Sequence, residues 1–313
     1  MTWLVTGGAG YIGSHLVTEL QSHGERVIVL DDLSSGSRKR LRENTLFVKG
    51  DINDSSVLDK IFSENKIAGV IHLAAKKSVS ESFTNANDYH KVNVEGTKNV
   101  IALCKKYHVK KLIFSSTAAV YGSEMQEGGL LEDSQTNPKS PYGESKLKAE
   151  FQVKNFGNVL ANSYIIFRFF NVIGSASPLL TESDGLNIWP AIQRSLQTGS
   201  TFTIFGDRYP TRDGTCIRDY IHVQDIVQAH LLAINLLSKE QLTQETINLG
   251  SGKGYTVLEV LRAFEETVGR KIPYEFGNPR EGDLPEVYCN ANLAHSILSW
   301  EANQNPFAIT QIL

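Results

Sequence analysis

A tyrosine and a lysine that would share one face of a helix are the residues of this chain best suited to chemistry. Tyr142 and Lys146 stand four residues apart, just after Pro141, and four residues make about one helical turn. A phenol titrates near pH 10, so it acts as a base at neutral pH only if a cation stabilises its anion. Lowering its pKa to about 7 takes roughly 4 kcal/mol, which one close ammonium and a second positive charge from a bound cofactor can supply. The alternative is an accidental pair on a solvated helix, so the surrounding residues decide the interpretation.

A glycine-rich turn near the N-terminus predicts a site for a dinucleotide. The apolar strand from Trp3 to Thr6 leads directly into Gly7-Gly8-Ala9-Gly10-Tyr11-Ile12-Gly13, and helical spacing follows. Glycines permit a tight turn and let backbone N–H groups approach a pyrophosphate at the start of a helix. A second strand, Arg26 to Leu30, ends in Asp31-Asp32. An acidic side chain about 20 residues past the glycines accepts from a ribose 2′-hydroxyl and repels a 2′-phosphate, which favours NAD over NADP, although Arg38 weakens this choice.

Strands and helices then alternate, which predicts an α/β fold. The spacing predicts strands over 45–49, 69–73, 111–114 and 163–169, and helices over 55–64, 83–107 and 142–155. This alternation implies right-handed crossovers and a parallel sheet, doubly wound in the Rossmann manner. Ligands bind at the carboxyl ends of such strands. The positions there are Gly7, Asp31, Asp51-Ile52, Leu73-Ala74-Ala75 and Ser115-Ser116-Thr117.

The alternation stops after the strand at 163–169, which predicts a second domain. Residues 173–222 are rich in Gly, Pro, Ser and Thr, with one helix near 189–198, and a helix at 223–237 and a strand at 246–249 resume the sheet. We therefore expect a nucleotide-binding domain made of 1–172 and 223–252. A smaller substrate domain, made of 173–222 and 253–313, is interleaved with it.

Composition excludes several other classes of protein. The chain has 313 residues, 41% of them hydrophobic, and a net charge of −3, which suits a globular protein and gives no sign of nucleic-acid binding. Three widely spaced cysteines fit neither a disulfide framework nor a zinc site, and the histidines form no metal-binding pattern, so we expect no metal. We expect a cytoplasmic protein with no membrane segment, and a solvated loop at the basic run 38–40.

The motifs together resemble the extended short-chain dehydrogenase/reductase family, and within it the enzymes that act on sugar nucleotides. The resemblance covers nearly the whole chain. Its carriers are Thr6-Gly7-Gly8-Ala9-Gly10-Tyr11-Ile12-Gly13-Ser14-His15, Phe114-Ser115-Ser116-Thr117, Val120-Tyr121-Gly122, Tyr142-Gly143-Glu144-Ser145-Lys146, Arg168-Phe169-Phe170-Asn171 and Asp213-Gly214-Thr215-Cys216-Ile217-Arg218-Asp219-Tyr220-Ile221-His222-Val223.

The resemblance implies 4-epimerisation of a UDP-sugar, interconverting UDP-galactose and UDP-glucose with a tightly held NAD. Tyr142 would take the proton of the sugar 4-hydroxyl while the C4 hydride passes to the nicotinamide. Lys146 would lower the pKa of Tyr142, and Thr117 would bond the same hydroxyl. A transient 4-keto sugar would turn over and take the hydride back on its other face.

The resemblance and the strand ends also assign binding residues. Those expected to hold NAD are Gly7, Gly10, Tyr11, Ile12, Gly13, Asp31, Asp32, Asp51, Ile52, Leu73, Ala74, Ala75, Lys77, Asn93, Ser115, Tyr142, Lys146 and Phe170. Those expected to hold the UDP-sugar are Lys77, Thr117, Tyr142, Asn171, Asn187, Ile188, Arg218, Tyr220, Arg280 and Asp283. Two arginines suit a diphosphate. Relatives in the family form homodimers through the helices near 84–107 and 142–155, so we expect a homodimer.

Several other activities stay open. Val287 lies where the family controls the space beside the sugar 2-substituent, so N-acetylated sugars are candidates, and a UDP-glucuronate 4-epimerase is another. A 4,6-dehydratase is disfavoured because Ala118-Ala119, after Thr117, cannot supply its acid and carboxylate. A non-catalytic NAD-binding scaffold should have lost Tyr142 or Lys146, and both are present.

Overall fold

The strands of this computed structural model, which describes residues 1–122, 125, 127–158, 162–182, 187–239 and 241–307, fall into a large parallel sheet and two smaller sheets. The strands are β1 Thr2–Thr6, β2 Arg26–Asp31, β3 Leu46–Lys49, β4 Gly69–His72, β5 Lys111–Thr117, β6 Ser163–Phe169, β7 Asn171–Ile173, β8 Phe202–Phe205, β9 Ile217–His222, β10 Gln244–Leu249, β11 Gly254–Thr256, β12 Tyr274–Gly277 and β13 Glu286–Val287. The helices are α1 Tyr11–Ser22, α2 Ser55–Glu64, α3 Val79–Thr84, α4 Ala86–Tyr89, α5 Gly96–Lys106, α6 Pro141–Gly157, α7 Ile188–Thr198, α8 Val223–Ser238, α9 Val257–Val268 and α10 Asn292–Leu298.

The large sheet is covered by helices on both faces. Among the described residues its strand order is β10-β6-β5-β4-β1-β2-β3, and every pair is parallel. One face packs against α1, α8 and α10, and the other against α2, α5 and α6. Because both faces are buried, the central strands are largely apolar rather than alternating, and all seven residues of β6 are buried. The predicted doubly wound α/β fold is confirmed.

Helix α6, which carries Tyr142 and Lys146, begins where its sequence requires. The Ser140 side chain accepts a hydrogen bond from the Gly143 N–H at 3.1 Å, and Pro141 occupies the first turn, where its missing N–H costs no hydrogen bond. The helix therefore starts at the carboxyl end of β5, and its first residues face the edge of the sheet where ligands bind.

The single long helix predicted over 83–107 is wrong. The chain forms α3 and α4 there, then a π-helix at His90–Glu95, and only then α5. Asn85, with φ −126° and ψ 36°, interrupts the helix between α3 and α4. The wider π turn places Asn93 inside the molecule, where it is 1% exposed.

The second region is built on two small sheets that sequence periodicity did not predict. Strand β9 pairs with β7, β11 and β13, and β8 pairs with β12. Helices α7 and α9 pack on them around Trp189, Phe264 and Ile204. These strands are short and bring together segments far apart in the chain, which explains why local patterns missed them.

The C-terminal segment contacts the helices of the large sheet. Ala294, Leu298 and Trp300 pack into the core under that sheet. The Trp300 indole N–H donates to the Asp225 carbonyl of α8 at 2.9 Å. The division of the chain into two interleaved domains stays a prediction, and this packing favours placing 292–304 with the nucleotide-binding part. Residues 183–186 and 308–313 of the predicted substrate domain lie outside the described residues.

The described part of the chain contains no helix long and apolar enough to cross a membrane. Within the same residues, no group of three or more His, Cys, Asp or Glu side chains could hold a metal ion. Cys104, Cys216 and Cys289 are buried free thiols.

Candidate active site

A cleft of about 1290 Å³ opens at the carboxyl edge of the large sheet, between that sheet and the second region. The residues predicted to bind cofactor or substrate line it, with the exceptions of Asn93 and Tyr220. Tyr220 lies in the core of the second region, where it is 2% exposed and its ring meets Phe307 edge-on.

Tyr142, Thr117 and Lys146 come together in this cleft. Thr117 ends β5, and its hydroxyl hydrogen-bonds the Tyr142 phenol while also accepting from the Ala119 N–H at 3.2 Å. Lys146 lies one turn further along α6 and is 2% exposed, with its ammonium 4.2 Å from the centre of the Phe114 ring. A phenol and a hydroxyl in contact, at the edge of a nucleotide-binding sheet, can exchange a proton with a substrate hydroxyl.

Several groups of the protein shift the pKa of Tyr142 in opposite directions. Burial raises the pKa of Tyr142, whereas the hydrogen bond from Thr117 and the charge of Lys77 lower it. The predicted role of Lys146, that of lowering the pKa of Tyr142, stays a prediction. Burial lowers the pKa of Lys146 itself to about 7, against an opposing effect of Glu150. The lysine whose charge lowers the pKa of Tyr142 is Lys77, which comes from the loop after β4.

The buried face of α6 continues from Tyr142 and Lys146 to Glu150, which the sequence analysis did not single out. The Glu150 carboxylate accepts from Arg168 at 2.9 and 2.8 Å and from the Ser116 hydroxyl at 2.5 Å. Arg168 also donates to the Tyr121 hydroxyl at 3.0 Å. This network ties α6 to β5 and β6 directly beneath Thr117. Its sequence signal was present, since Glu150 follows Tyr142 and Lys146 at the same four-residue spacing.

The start of α1 is shaped to receive an anion. Gly10 caps the helix without a side-chain hydrogen bond, the first turn carries no acidic residue, and residues 10–13 line the cleft, so the unpaired N–H groups of this turn are available to a ligand there. A Cβ atom on Gly13 would lie 2.2 Å from the Gly7 carbonyl oxygen, so only glycine fits. Asp31 accepts from the Ala9 N–H at 2.9 Å and thereby holds the glycine turn against the end of β2. These residues fit the pyrophosphate and ribose of a dinucleotide.

The basic run after β2 is not the solvated loop that we expected. Arg40 is 9% exposed, lines the cleft and donates to the Thr181 carbonyl at 2.8 Å. Arg38 is turned toward its own loop, where it donates to the carbonyls of Leu41, Arg42 and Glu43. Arg38 does not line the cleft. The argument from the sequence that Arg38 could bind the 2′-phosphate of NADP is therefore removed.

The opposite wall carries the two arginines expected to bind a diphosphate. Arg218 forms an ion pair with Asp283 at 3.1 Å and donates to the Leu284 carbonyl at 2.8 Å, so its guanidinium is oriented before any ligand arrives. Arg280 stacks over the Phe205 ring at 4.0 Å. Both side chains line the same cleft as Tyr142.

Asn93 holds the loop that carries Lys77. Its amide accepts from the Lys76 N–H at 2.8 Å and donates to the Lys76 carbonyl at 3.0 Å and the Ser145 hydroxyl at 2.9 Å. These bonds join the loop after β4 to α6. The structure therefore places Asn93 behind the cleft wall, not on its surface.

Glu182 is a second cleft residue that sequence reasoning missed. It is 5% exposed, lines the cleft, and accepts from the Lys77 ammonium and the Asn187 amide, each at 2.6 Å. It stands in a stretch rich in Ser, Thr and Gly, and no spacing marks it out. Its importance appears only when Lys77 and Asn187 are brought together by the fold.

A glycine turn after the first strand of a doubly wound sheet, with a Tyr and a Lys one turn apart on α6 beside the end of β5, defines a nucleotide-dependent enzyme of the short-chain dehydrogenase/reductase class. The chain belongs to the NAD dependent epimerase/dehydratase family, whose model matches residues 3–250.

Several proteins similar to this chain over nearly its whole length are UDP-glucose 4-epimerases. A UDP-glucose 4-epimerase of Halalkalibacterium halodurans is 41% identical over 307 residues, which is 96% of this chain and 90% of that protein. A crystal structure of UDP-glucose-4-epimerase from Stenotrophomonas maltophila, with bound NAD and formylated UDP-arabinopyranose, matches with a TM-score of 0.93 and 34% identity, over 99% of this chain and 95% of that one. The enzyme from Bifidobacterium longum, in complex with NAD+ and UDP, matches with a TM-score of 0.93 and 33% identity, over 99% and 96%.

Proposed function

We propose that this protein is a UDP-glucose 4-epimerase that interconverts UDP-galactose and UDP-glucose through a transient 4-keto sugar. The observation that carries the proposal is the position of Thr117 and Tyr142 between two walls of one cleft. One wall has the glycine turn and Asp31, and the other has Arg218 and Arg280. A dinucleotide on the first wall and a nucleotide sugar on the second would meet at the phenol.

The residues of the first wall would hold NAD in place. The N–H groups at the start of α1 would receive its pyrophosphate, and Asp31 would accept from a ribose hydroxyl. Asp51 and Ile52, at the end of β3, and Ala74 and Ala75, after β4, complete this wall. When bound, NAD supplies the chemistry of accepting a hydride from C4 of the sugar and returning it.

Tyr142 would move the proton in both directions. It takes the 4-hydroxyl proton as the C4 hydrogen leaves as hydride, and it returns that proton when the hydride comes back to the other face of the ketone. Thr117 orients the phenol and the sugar oxygen through its hydroxyl. Two opposite requirements follow for Tyr142, since it must act first as a base and then as an acid, and a pKa near the working pH serves both.

The second wall would hold the UDP part while the sugar turns. A planar guanidinium pairs with phosphate oxygens through two hydrogen bonds, and Arg218 and Arg280 provide two such groups. Holding the diphosphate retains the ketone in the cleft. Asn171, Asn187 and Ile188 line the cleft between the arginines and Tyr142, where the sugar would turn.

N-acetylated UDP-sugars are a second class of candidate substrate. Val287 lines the cleft and is half-buried against Cys289 and Leu130, so a modest side chain borders the space available to the sugar. UDP-glucuronate is a further alternative. Turnover of these sugars beside UDP-galactose, at matched concentrations, decides among them.

The protein is proposed to work as a homodimer in the cytoplasm. The Phe151 side chain, on the outer face of α6, is 56% exposed, and burying such an aromatic ring against a second copy is favourable. Buried free thiols at Cys104, Cys216 and Cys289 suit a reducing compartment.

The first experiment is conversion of UDP-galactose to UDP-glucose by the purified protein with no added NAD, followed with a coupled dehydrogenase. We expect turnover in the wild type and a loss of about 10³-fold in Tyr142→Phe, since that variant cannot take the proton. The substitution removes only the hydroxyl, so the fold is preserved.

Two outcomes would contradict the proposal. Failure of the wild type to convert UDP-galactose, with NAD added as well, would exclude the galactose reaction and turn attention to the N-acetylated and uronate sugars. Full activity in Tyr142→Phe would exclude Tyr142 as the proton acceptor. Conversion without added NAD supports a cofactor that is retained and restored in each turnover.

A further inference from the structure

Glu182 joins the two walls of the cleft. One of its carboxylate oxygens, Oε1, accepts from the Lys77 ammonium at 2.6 Å and from the Asn187 amide at 2.6 Å. Lys77 stands in the loop after β4, on the nucleotide side, whereas Asn187 precedes α7, on the substrate side. Asn187 makes no capping bond to its own helix, so its side chain is committed to Glu182. A single buried oxygen therefore fixes two side chains that both line the cleft.

The opposite charges of Lys77 and Glu182 stabilise this arrangement. The Glu182 side chain is 3% exposed, and its second oxygen, Oε2, is buried without a hydrogen-bond partner among the described residues. A buried carboxylate that lost its cation would be left uncompensated, which is strongly destabilising. Lys77 is therefore held at the carboxylate although its own side chain is 45% exposed.

The same ion pair governs how strongly Lys77 acts on Tyr142. The charge of Lys77 lowers the pKa of Tyr142, whereas burial raises it. An ammonium with a carboxylate 2.6 Å away exerts a weaker field at a distance than the same ammonium alone. The other groups that face the two ends of this arrangement are Thr117, Lys146 and Tyr89 around Tyr142, and Tyr11 and Asn187 around Glu182, with Arg40 bonded to the neighbouring Thr181.

We propose that Glu182 is a positioning residue for the proposed epimerisation: it holds Lys77 at a fixed place in the cleft and tempers the charge that Lys77 presents to Tyr142. The inference rests on the proposed function, in which Tyr142 must accept a proton and then give it back. Without the Glu182 charge beside it, the Lys77 ammonium would favour the phenolate more strongly and weaken the phenol as an acid in the return step. Glu182 thus lets Tyr142 serve both as the base of the first step and as the acid of the return step.

The test is the pH dependence of kcat/KM in Glu182→Gln, which keeps the size and the acceptor oxygen but removes the charge. Activity that requires the phenolate rises with pH as Tyr142 loses its proton, and we call this rising part of the kcat/KM profile the acid limb. A lower pKa of Tyr142 moves the acid limb to lower pH. We expect this limb to move down by about half a pH unit or more in Glu182→Gln. Removing the cation in Lys77→Met should move it up.

A double-mutant cycle separates action through Lys77 from any other effect. In the Lys77→Met background, Glu182→Gln should move the acid limb no further, since the charge that it tempers is gone. The matched control is Glu144→Gln, which removes a carboxylate two residues from Tyr142 but on the exposed face of α6, paired with Lys148. This control should leave the limb in place.

Several results would overturn the proposal. The first is an acid limb that stays in place or moves to higher pH in Glu182→Gln. The second is a shift to lower pH when Glu182→Gln is added to Lys77→Met. Direct titration provides a second readout, taken as the phenolate absorbance of each protein minus that of its Tyr142→Phe counterpart, and it must move in the same direction. If the wild type does not epimerise UDP-galactose at all, the proposed function fails, and this titration still decides whether Glu182 tempers Lys77.

Discussion

Two lysines that line the cleft, Lys77 and Lys146, are held in different surroundings. Lys146 is enclosed by the sheet and α6, and burial lowers its pKa to about 7. Lys77 keeps part of its side chain in water and is paired with Glu182. The protonation of a buried cation with such a shifted pKa is sensitive to its surroundings, because the charge of a ligand bound nearby changes it. The exposed, paired lysine gives Tyr142 a steadier field.

Lys146→Met should make the protein more stable at low pH. The folded protein lowers the pKa of Lys146 from 10.5 to about 7, so between these values the unfolded chain binds more protons, and stability rises with pH. Below about pH 7 the wild type carries a buried ammonium that the variant lacks. The gain in free energy of unfolding should therefore be largest there and shrink as pH approaches 10.

Urea unfolding across this pH range measures the effect. Lys148→Met, at an exposed position of the same helix, is the control, and its stability relative to wild type should not vary in that way. A gain in Lys146→Met that stayed constant over the whole range would show that packing, not charge, explains it.

At the scale of the elements, burial on both faces made the large sheet predictable. Strands β1, β4 and β6 are mostly apolar and buried, and the sequence located each to within a few residues. Strands β11 and β13 are three and two residues long, and their partners on β9 are distant in sequence, so no local pattern could indicate them. The residues on strand ends and in motifs were found, whereas Glu182 was missed because tertiary contacts alone define its role.

The π-helix at His90–Glu95 holds Asn93 in place, and a substitution of Asn93 is the best test of its function. Replacing Asn93 by Ala leaves the Lys76 N–H and carbonyl and the Ser145 hydroxyl without their partner in a buried place. We expect a loss on the order of 2 kcal/mol in free energy of unfolding, with weaker NAD binding as a consequence of the loosened loop. Chemical unfolding and an NAD titration measure the two effects.

Asn99→Ala is the comparison, since Asn99 makes one longer bond, of 3.3 Å, to the Ile52 carbonyl. It should lose well under half as much stability. If Asn93→Ala weakened NAD binding with stability unchanged, Asn93 would be a direct ligand, as the family resemblance implied, rather than a support for the loop.

For the whole molecule, the proposed dimer would connect the active site to oligomeric state through the outer face of α6. The helix presents Tyr142, Lys146 and Glu150 inward and Phe151 outward. A second copy packed on that face would stabilise the helix on which the phenol is mounted. Dimer formation and catalysis would then share one element.

Phe151→Glu should convert a dimer to monomers, because it places a charge in the centre of an apolar contact. Sedimentation velocity or light scattering measures the change. Leu242→Glu is a matched control, because Leu242 is equally exposed, at 56%, and precedes β10 rather than standing on α6. Dimers that persist in Phe151→Glu would place the contact elsewhere.

The last strand of the large sheet and the segment that covers it come late in the chain. Strand β10 is made after the whole of 173–222, and Trp300 then attaches to Asp225 of α8, whose carboxylate also accepts from the Asn303 and Gln304 N–H groups. A chain growing on the ribosome completes its glycine turn early, but it cannot add the edge strand β10 and the segment around Trp300 until about residue 300 has emerged. The core that supports the nucleotide-binding edge of the sheet is therefore completed long after the glycine turn has been made.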